Sequence, residues 1–311
     1  MAVEILKESY SGKIREEIIG TLPNEVKVGS EEVLPFHLFE GNMPNPPKIA
    51  LEVYDEPPED WADACLKPWA DVIDDPVKWA KKAIEEYDAE MICLQLASTD
   101  PNGSNKSAEE AAELVKKVTD EVNVPVIVYG SDNVEKDIQV LKKVAEICEG
   151  KNLYLGAVKE DNHKTIGAAA MGYKQGIVAQ TPNDVNLAKQ LNILLENLGL
   201  PLNKIVMDTT TGGLGYGIEY TYTIIERLKL AALTQNDDKV QMPIINNLAC
   251  EVWKLKEVKT DDPTIGDTAI RGILWEAITA FVLAIGGSDI LIMRHPQSAK
   301  LVKKMIVELM S

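Results

Sequence analysis

From residue 48 onward the chain repeats one unit eight times: a short apolar run, a polar loop with turn residues, and a longer segment whose apolar residues recur at helical spacing. Short apolar runs bounded by turns predict buried parallel strands, and the longer segments between them predict crossover helices. The candidate strands are KIALEVY (48–54), MICLQLA (91–97), VPVIVYG (124–130), NLYLGAV (152–158), GIVAQ (176–180), KIVMDTT (204–210), MPIINN (242–247) and DILIMR (289–294). Eight strands alternating with helices predict an α/β fold, a closed (β/α)8 TIM barrel, because a doubly wound sheet usually stops at about five to seven strands. The barrel is expected over residues 47–311. Residues 1–46, with the loop PFHLFEGNMPNPP, are expected to form an N-terminal extension that covers the barrel floor or meets a partner.

Local signals support the alternation. Ser107 followed by Glu110 predicts a capping box, in which hydroxyl and carboxylate satisfy otherwise orphaned amides. Thr181 is expected to cap a helix opened by Pro182, with Leu187, Leu191, Leu194 and Leu198 as its buried stripe and Gly199 and Pro201 ending it.

A core of this size is affordable for 311 residues, 45% of them hydrophobic. The formal charge of −17 argues against partners that attract basic proteins, namely nucleic acid and anionic membrane surfaces. Cys65, Cys93, Cys148 and Cys250 lie far apart with no CxxC pair, so they are expected to be reduced thiols rather than ligands of zinc or an iron-sulfur cluster. No signal peptide and no membrane span is recognised near the N-terminus, and the expected location is cytoplasmic.

Chemistry in such a barrel collects at the C-terminal ends of the strands. That rule selects Asp55, Ser98, Thr99, Asp100, Tyr129, Ser131, Asp132, Glu160, Asp161, Gln180, Asp208, Thr209, Asn246, Asn247, Arg294 and His295, a mostly neutral set. Strand alternation adds Glu52 and Gln95 on one face of the wall. A buried Glu52 requires a partner or a raised pKa, and two readings stand: a member of a hydrogen-bond network, or an acid. Lys204 stands at the wrong end of its strand for a Schiff-base lysine, and Gly286 and Gly287 precede the last strand rather than following it as a phosphate cup requires. No catalytic residue and no metal ligand is assigned.

The barest part of the rim is the loop TTTGGLGYG, residues 209–217. Its glycines 212, 213, 215 and 217 match neither G-x-G-x-x-G nor the Walker pattern. Either they let the backbone lie flat against a broad planar object, or they only turn the chain tightly into the helix marked by Ile218, Tyr222, Ile225 and Leu228.

The run TGGLGYGIEYTYTIIERLKLAAL (211–233), with PFHLFEG (35–41), LEVYD (51–55), DNVEKD (132–137), LAKQLNILLENLGLPL (187–202), RGILWEA (271–277) and LIMRHP (291–296), resembles the small (delta) subunit of the corrinoid iron-sulfur protein of the acetyl-CoA decarbonylase/synthase system. The resemblance covers nearly the whole chain. It implies a barrel that pairs with a large subunit carrying the four-iron cluster and much of the cobalamin site. It further implies that the pair accepts a methyl group from a methyltetrahydrofolate methyltransferase and delivers it to acetyl-CoA synthase. On that basis the cobalamin contacts are expected at Asp208, Thr209, Thr210, Thr211, Gly212, Gly213, Leu214, Gly215, Asn246, Asn247 and Arg294, with His295 anchoring a loop. Hydroxyls and amides would meet the polar corrin periphery while glycine backbone approaches the ring. Two alternatives remain open at this stage: a pterin-dependent methyltransferase using Asp208, Asn246 and Gln95, and a purely structural scaffold.

Overall fold

The computed structural model describes residues 5–311, so the first four residues of the expected extension lie outside the described residues. An antiparallel hairpin of β1 (Glu16–Thr21) and β2 (Asn24–Gly29) comes first. The eight predicted strands follow as β3 (Lys48–Tyr54), β4 (Met91–Gln95), β5 (Val126–Tyr129), β6 (Tyr154–Val158), β7 (Gly176–Gln180), β8 (Ile205–Asp208), β9 (Ile245–Asn247) and β10 (Ile290–Met293). Short helix α1 (Asp63–Leu66) and α2 (Pro76–Glu85) separate β3 from β4, and α3 (Ala108–Glu121), α4 (Val134–Ile147), α5 (His163–Gly172), α6 (Val185–Leu198) and α7 (Ile218–Thr234) follow the next strands in turn. Between β9 and β10 run α8 (Ala249–Trp253), α9 (Lys256–Lys259) and the long α10 (Thr268–Gly286), and α11 (Pro296–Leu309) closes the chain.

All eight strands pair in parallel, in the order β8-β7-β6-β5-β4-β3-β10-β9. The two ends of that order meet through a parallel bridge between Met207 and Ile244 and a Met207 N–H to Pro243 carbonyl bond of 2.9 Å, which makes the sheet a barrel. The period of two along each strand separates two cores. Leu51, Val53, Ile92, Leu94, Val128, Leu155 and Met293 belong to the layer shared with the helices. Ala50, Met91, Cys93, Ile127, Val178, Val206 and Ile292 belong to a second cluster that fills the barrel.

Ile19 and Val28 of the hairpin belong to that inner cluster, so the hairpin plugs the barrel floor. Asn152 fastens it, donating to the carbonyls of Ile18 (2.6 Å) and Gly20 (2.8 Å), and the Tyr154 hydroxyl donates to Glu17 Oε2 at 2.7 Å. The segment after the hairpin is held by a second buried contact, Lys229 Nζ to Asp289 Oδ2 at 2.8 Å and to Glu31 Oε1 at 3.3 Å.

The Ser107–Glu110 capping box is formed as expected. Helix α6 departs from expectation: it starts at Val185, capped by Asp184, whose carboxylate accepts from Asn186 N (2.7 Å) and Leu187 N (3.0 Å). Thr181 is tied to the strand end instead, its N–H donating to the Asp208 carbonyl at 2.9 Å. The buried stripe also differs from the expected one: Ala188, Leu191, Asn192 and Leu195 are buried and Leu187 is exposed.

Candidate functional site at the C-terminal rim of the barrel

Inward-facing Glu52 is fully buried and accepts from Arg294 Nε at 2.6 Å. The same guanidinium donates to the Tyr54 hydroxyl at 3.2 Å and lies 3.8 Å from the centre of the Trp61 ring, a cation–π contact. Of the two readings open for Glu52, the paired one holds, although its Oε1 has no partner. Asp55 is similarly engaged, accepting from Ser98 N at 2.9 Å and from the Ser98 hydroxyl, while burial pushes its carboxyl up. Gln95 donates to the Gly130 carbonyl.

Asp208 ends β8 with both oxygens occupied. Its Oδ2 accepts from Tyr129 (3.2 Å) and Gln180 (2.9 Å), its Oδ1 accepts from Thr210 N (3.0 Å), and burial raises its pKa. Thr210 takes φ of 56°, a strained value for a β-branched residue, and its hydroxyl donates to the Thr181 carbonyl at 2.8 Å. Thr211 Oγ1 accepts from Asn246 Nδ2 at 3.1 Å. Four buried polar atoms at the ends of β7, β8 and β9 have no protein partner: Thr181 Oγ1, Thr209 Oγ1, Asn246 Oδ1 and Asn247 Oδ1. Buried polar atoms are nearly always satisfied, so these four call for water or a ligand.

The glycine loop resolves residue by residue. A Cβ on Gly212 would lie 2.5 Å from the backbone of Gly217, so Gly212 serves the loop's closure on itself. Gly215 (φ 77°) and Gly217 (φ 98°) occupy the left-handed region. Gly213 differs, because its nearest contact would be Leu255 Cδ1 at an ordinary 3.7 Å. The chain's own packing therefore explains three of these glycines and leaves Gly213 unexplained. Helix α10 pins the loop from behind: Trp275 Nε1 donates to the Leu214 carbonyl at 2.9 Å, and Leu214 N donates to Thr279 Oγ1 at 3.3 Å.

His295 anchors a loop as expected, capping α11 by accepting from Gln297 N at 3.1 Å and stacking on Trp253 with ring centres 5.8 Å apart. Burial lowers its pKa to about 4, so the ring is neutral at pH 7. Glu276 was not singled out by the sequence, yet it holds the end of β10 in place, accepting from Arg294 N at 2.6 Å and His295 N at 3.1 Å. Burial pushes its carboxyl up to about 7. Its one available signal is a lone acid within the apolar helix ILWEAITAFVLAI. Trp61, Trp275 and Thr279 carried no such signal. Asp208, Thr209, Thr210, Thr211 and Asn246 are thus brought together, whereas Arg294 is committed to Glu52, Tyr54 and Trp61.

The fold matches solved dihydropteroate synthases. One from Xanthomonas albilineans, in complex with indole-2-carboxylic acid and 6-chloroguanine, aligns with a TM-score of 0.58 at 10% identity, over 94% of this chain and 99% of that one. One from Yersinia pestis, in a sulfonamide drug complex, aligns with a TM-score of 0.57 at 12% identity, over 85% of this chain and 93% of that one. Identities this low establish shared architecture alone. Residues 16–308 match the family model of the CO dehydrogenase/acetyl-CoA synthase delta subunit. Proteins called acetyl-CoA decarbonylase/synthase complex subunit delta are similar along most of the chain. That of Archaeoglobus fulgidus is 35% identical over 315 residues, covering 97% of this chain and 69% of its own length. That of Methanopyrus kandleri is 37% identical over 284 residues, covering 91% and 70%. The delta 1 subunit of Methanosarcina thermophila is 37% identical over 292 residues, covering 92% and 66%, so the chain spans about two thirds of the length of these relatives.

Proposed function

The chain belongs to the CO dehydrogenase/acetyl-CoA synthase delta-subunit family, and from that premise we propose that it is the small subunit of a corrinoid iron-sulfur methyl carrier whose C-terminal rim closes one side of cobalamin. The pair would take a methyl group from a methyltetrahydrofolate methyltransferase and pass it to acetyl-CoA synthase in the cytoplasm. The four-iron cluster is assigned to the large subunit.

The observation that carries this reading is the group of unpartnered buried atoms, Thr209 Oγ1, Asn246 Oδ1 and Asn247 Oδ1, beside a glycine whose bareness its own surroundings do not require. These residues fit a corrin. Its periphery bears amide side chains, which could donate a hydrogen bond to an unpartnered oxygen such as Asn247 Oδ1, and Gly213 would let the backbone approach a flat ring. When bound, the corrin supplies the cobalt nucleophile that carries the methyl group.

The chain's own residues shape and seal. Asp208, held by Tyr129, Gln180 and the Thr210 amide, fixes the base of the glycine loop. Trp275 and Thr279 fix its tip through Leu214. The Glu52–Arg294 pair balances one buried rim charge and Ser98 hydrogen-bonds Asp55, which suits a site that excludes water from a reactive metal.

Gly213→Leu, co-expressed with the large subunit, tests the reading. Corrin content per folded pair, read by visible absorbance, is expected to fall several-fold, with Gly213→Ala showing that the position tolerates a side chain. Full corrin content in Gly213→Leu would refute placement of the corrin at this loop.

A further inference from the structure

Four aromatic rings run in contact from the barrel rim to the outer helix layer. Trp61, in the loop after β3, lies 3.8 Å beneath the Arg294 guanidinium and packs edge-on against Tyr54 with ring centres 5.0 Å apart. From Trp61 the spacing is 5.6 Å to Trp79, then 5.7 Å from Trp79 to Trp69 and 5.2 Å from Trp69 to Tyr87. Core packing accounts for rings at such distances. It does not account for their polar atoms. Trp69 and Trp79 are fully buried, yet among the described residues neither Nε1 has a hydrogen-bond acceptor. A buried indole N–H usually finds a partner, so two adjacent ones without any ask for a role.

Loss of an electron turns an indole N–H into a strong acid. With an acceptor alongside, the proton leaves and the oxidised ring is trapped; without one, the proton stays and the electron is readily replaced from the next ring. The far end of the row is built differently. Tyr87 is partly exposed, donates to the Pro68 carbonyl at 3.5 Å, and lines a surface cavity of about 740 Å³ beside Lys300 and Lys303. An oxidised phenol there can give its proton to water, which makes Tyr87 the resting place.

We propose that Trp61, Trp79, Trp69 and Tyr87 form a conduit that carries oxidising equivalents from the rim to solvent. A peroxide-derived hydroxyl radical formed at the rim takes one electron from Trp61 and becomes hydroxide. The vacancy is refilled in turn from Trp79, Trp69 and Tyr87, and Tyr87 releases its proton as it becomes a neutral tyrosyl radical. A soluble thiol then returns a hydrogen atom to Tyr87, and two thiyl radicals so formed join as a disulfide. The source of the radical rests on the metal-bearing role inferred above, but the conduit itself does not.

The test starts oxidation on the full chain with a ruthenium polypyridyl photooxidant attached at exposed Asp60→Cys, next to Trp61, in a Cys250→Ser background that removes the partly exposed native thiol. Electron paramagnetic resonance of the flashed sample identifies the oxidised ring. A tyrosyl signal is expected in this labelled parent, replaced by an indole signal in Tyr87→Phe and several-fold weaker in Trp79→Phe. Phenylalanine keeps an aromatic ring at each position and is not oxidised at that potential. An unchanged tyrosyl signal in Tyr87→Phe overturns the proposal, and because that ring is partly exposed the result stands even where Trp79→Phe fails to fold. A second arm exposes the co-purified pair to hydrogen peroxide and maps oxidised side chains by mass spectrometry. Oxidation of Trp61 and Tyr54 is expected to rise several-fold in Tyr87→Phe, and no rise overturns the protective role. In the first arm the label supplies the oxidant, so its outcome is independent of corrin at the rim and separate from that of Gly213→Leu.

Discussion

Arg294 Nε meets Glu52 Oε2 at 2.6 Å across 242 residues of sequence, and the contact fastens the last barrel strand to the first. Both groups are buried, so removing one strands the other without water. Arg294→Ala is expected to lower the unfolding free energy by about 3–5 kcal/mol. The double variant Glu52→Leu with Arg294→Met should recover much of that loss, because neither residue then carries a charge. Urea unfolding of the two variants and the parent measures the difference.

Glu17 makes the floor hairpin sensitive to pH. Burial pushes its carboxyl up to about 8 from an ordinary 4.5, opposed in part by the Tyr154 hydrogen bond. A folded value above the unfolded one means that the protonated form stabilises the fold. This contribution is complete below about pH 4.5 and is lost as pH rises through about 8. Glu17→Gln keeps an acceptor for Tyr154 and removes the titration. Between pH 5 and pH 9 the parent should lose on the order of a few kcal/mol relative to Glu17→Gln. Denaturant midpoints at the two pH values give the comparison.

Lys229 lies buried between Glu31 and Asp289, so the segment after the hairpin is tied to the barrel by the only cation in that cluster. Lys229→Met leaves two carboxyls facing each other without it. A loss of about 3–5 kcal/mol is expected, together with faster proteolysis before residue 46, since the Glu31 contact is one of the ties that hold that segment to α7 and the start of β10. Protease cleavage mapped by mass spectrometry reads the second effect.

Gly212 and Gly213 are adjacent and should respond differently to the same change. Gly212→Ala drives a Cβ to within 2.5 Å of the Gly217 backbone and is expected to lower the midpoint of thermal unfolding by several degrees. Gly213→Ala meets nothing closer than 3.7 Å and should leave it unchanged. A matched pair of melting curves decides the point.

Most of the barrel was legible because period and turn chemistry are local. Each of the eight apolar runs became a strand within a few residues of its expected limits. The start of α6 was missed because Thr181 and Asp184 both cap helices, and only the tie from Thr181 N to the Asp208 carbonyl excludes the first. At the rim, the type and order of the polar residues were legible, but their commitments were not. Arg294 was an equal candidate with Asn246 for contact with a cofactor, and the two differ only in what surrounds them: Glu52, Tyr54 and Trp61 engage the arginine, while one asparagine oxygen is left unpartnered.

Sequence alone determined the eight barrel strands, though not the β1–β2 hairpin before them, together with the fold class, the family and the mostly neutral character of the rim, since these depend on residue types and on spacing along the chain. Tertiary structure decided which polar groups are already satisfied, which glycine has room to spare, and which aromatic rings touch. Those properties depend on distances between segments far apart in sequence, and hydrogen bonding and burial are functions of such distances.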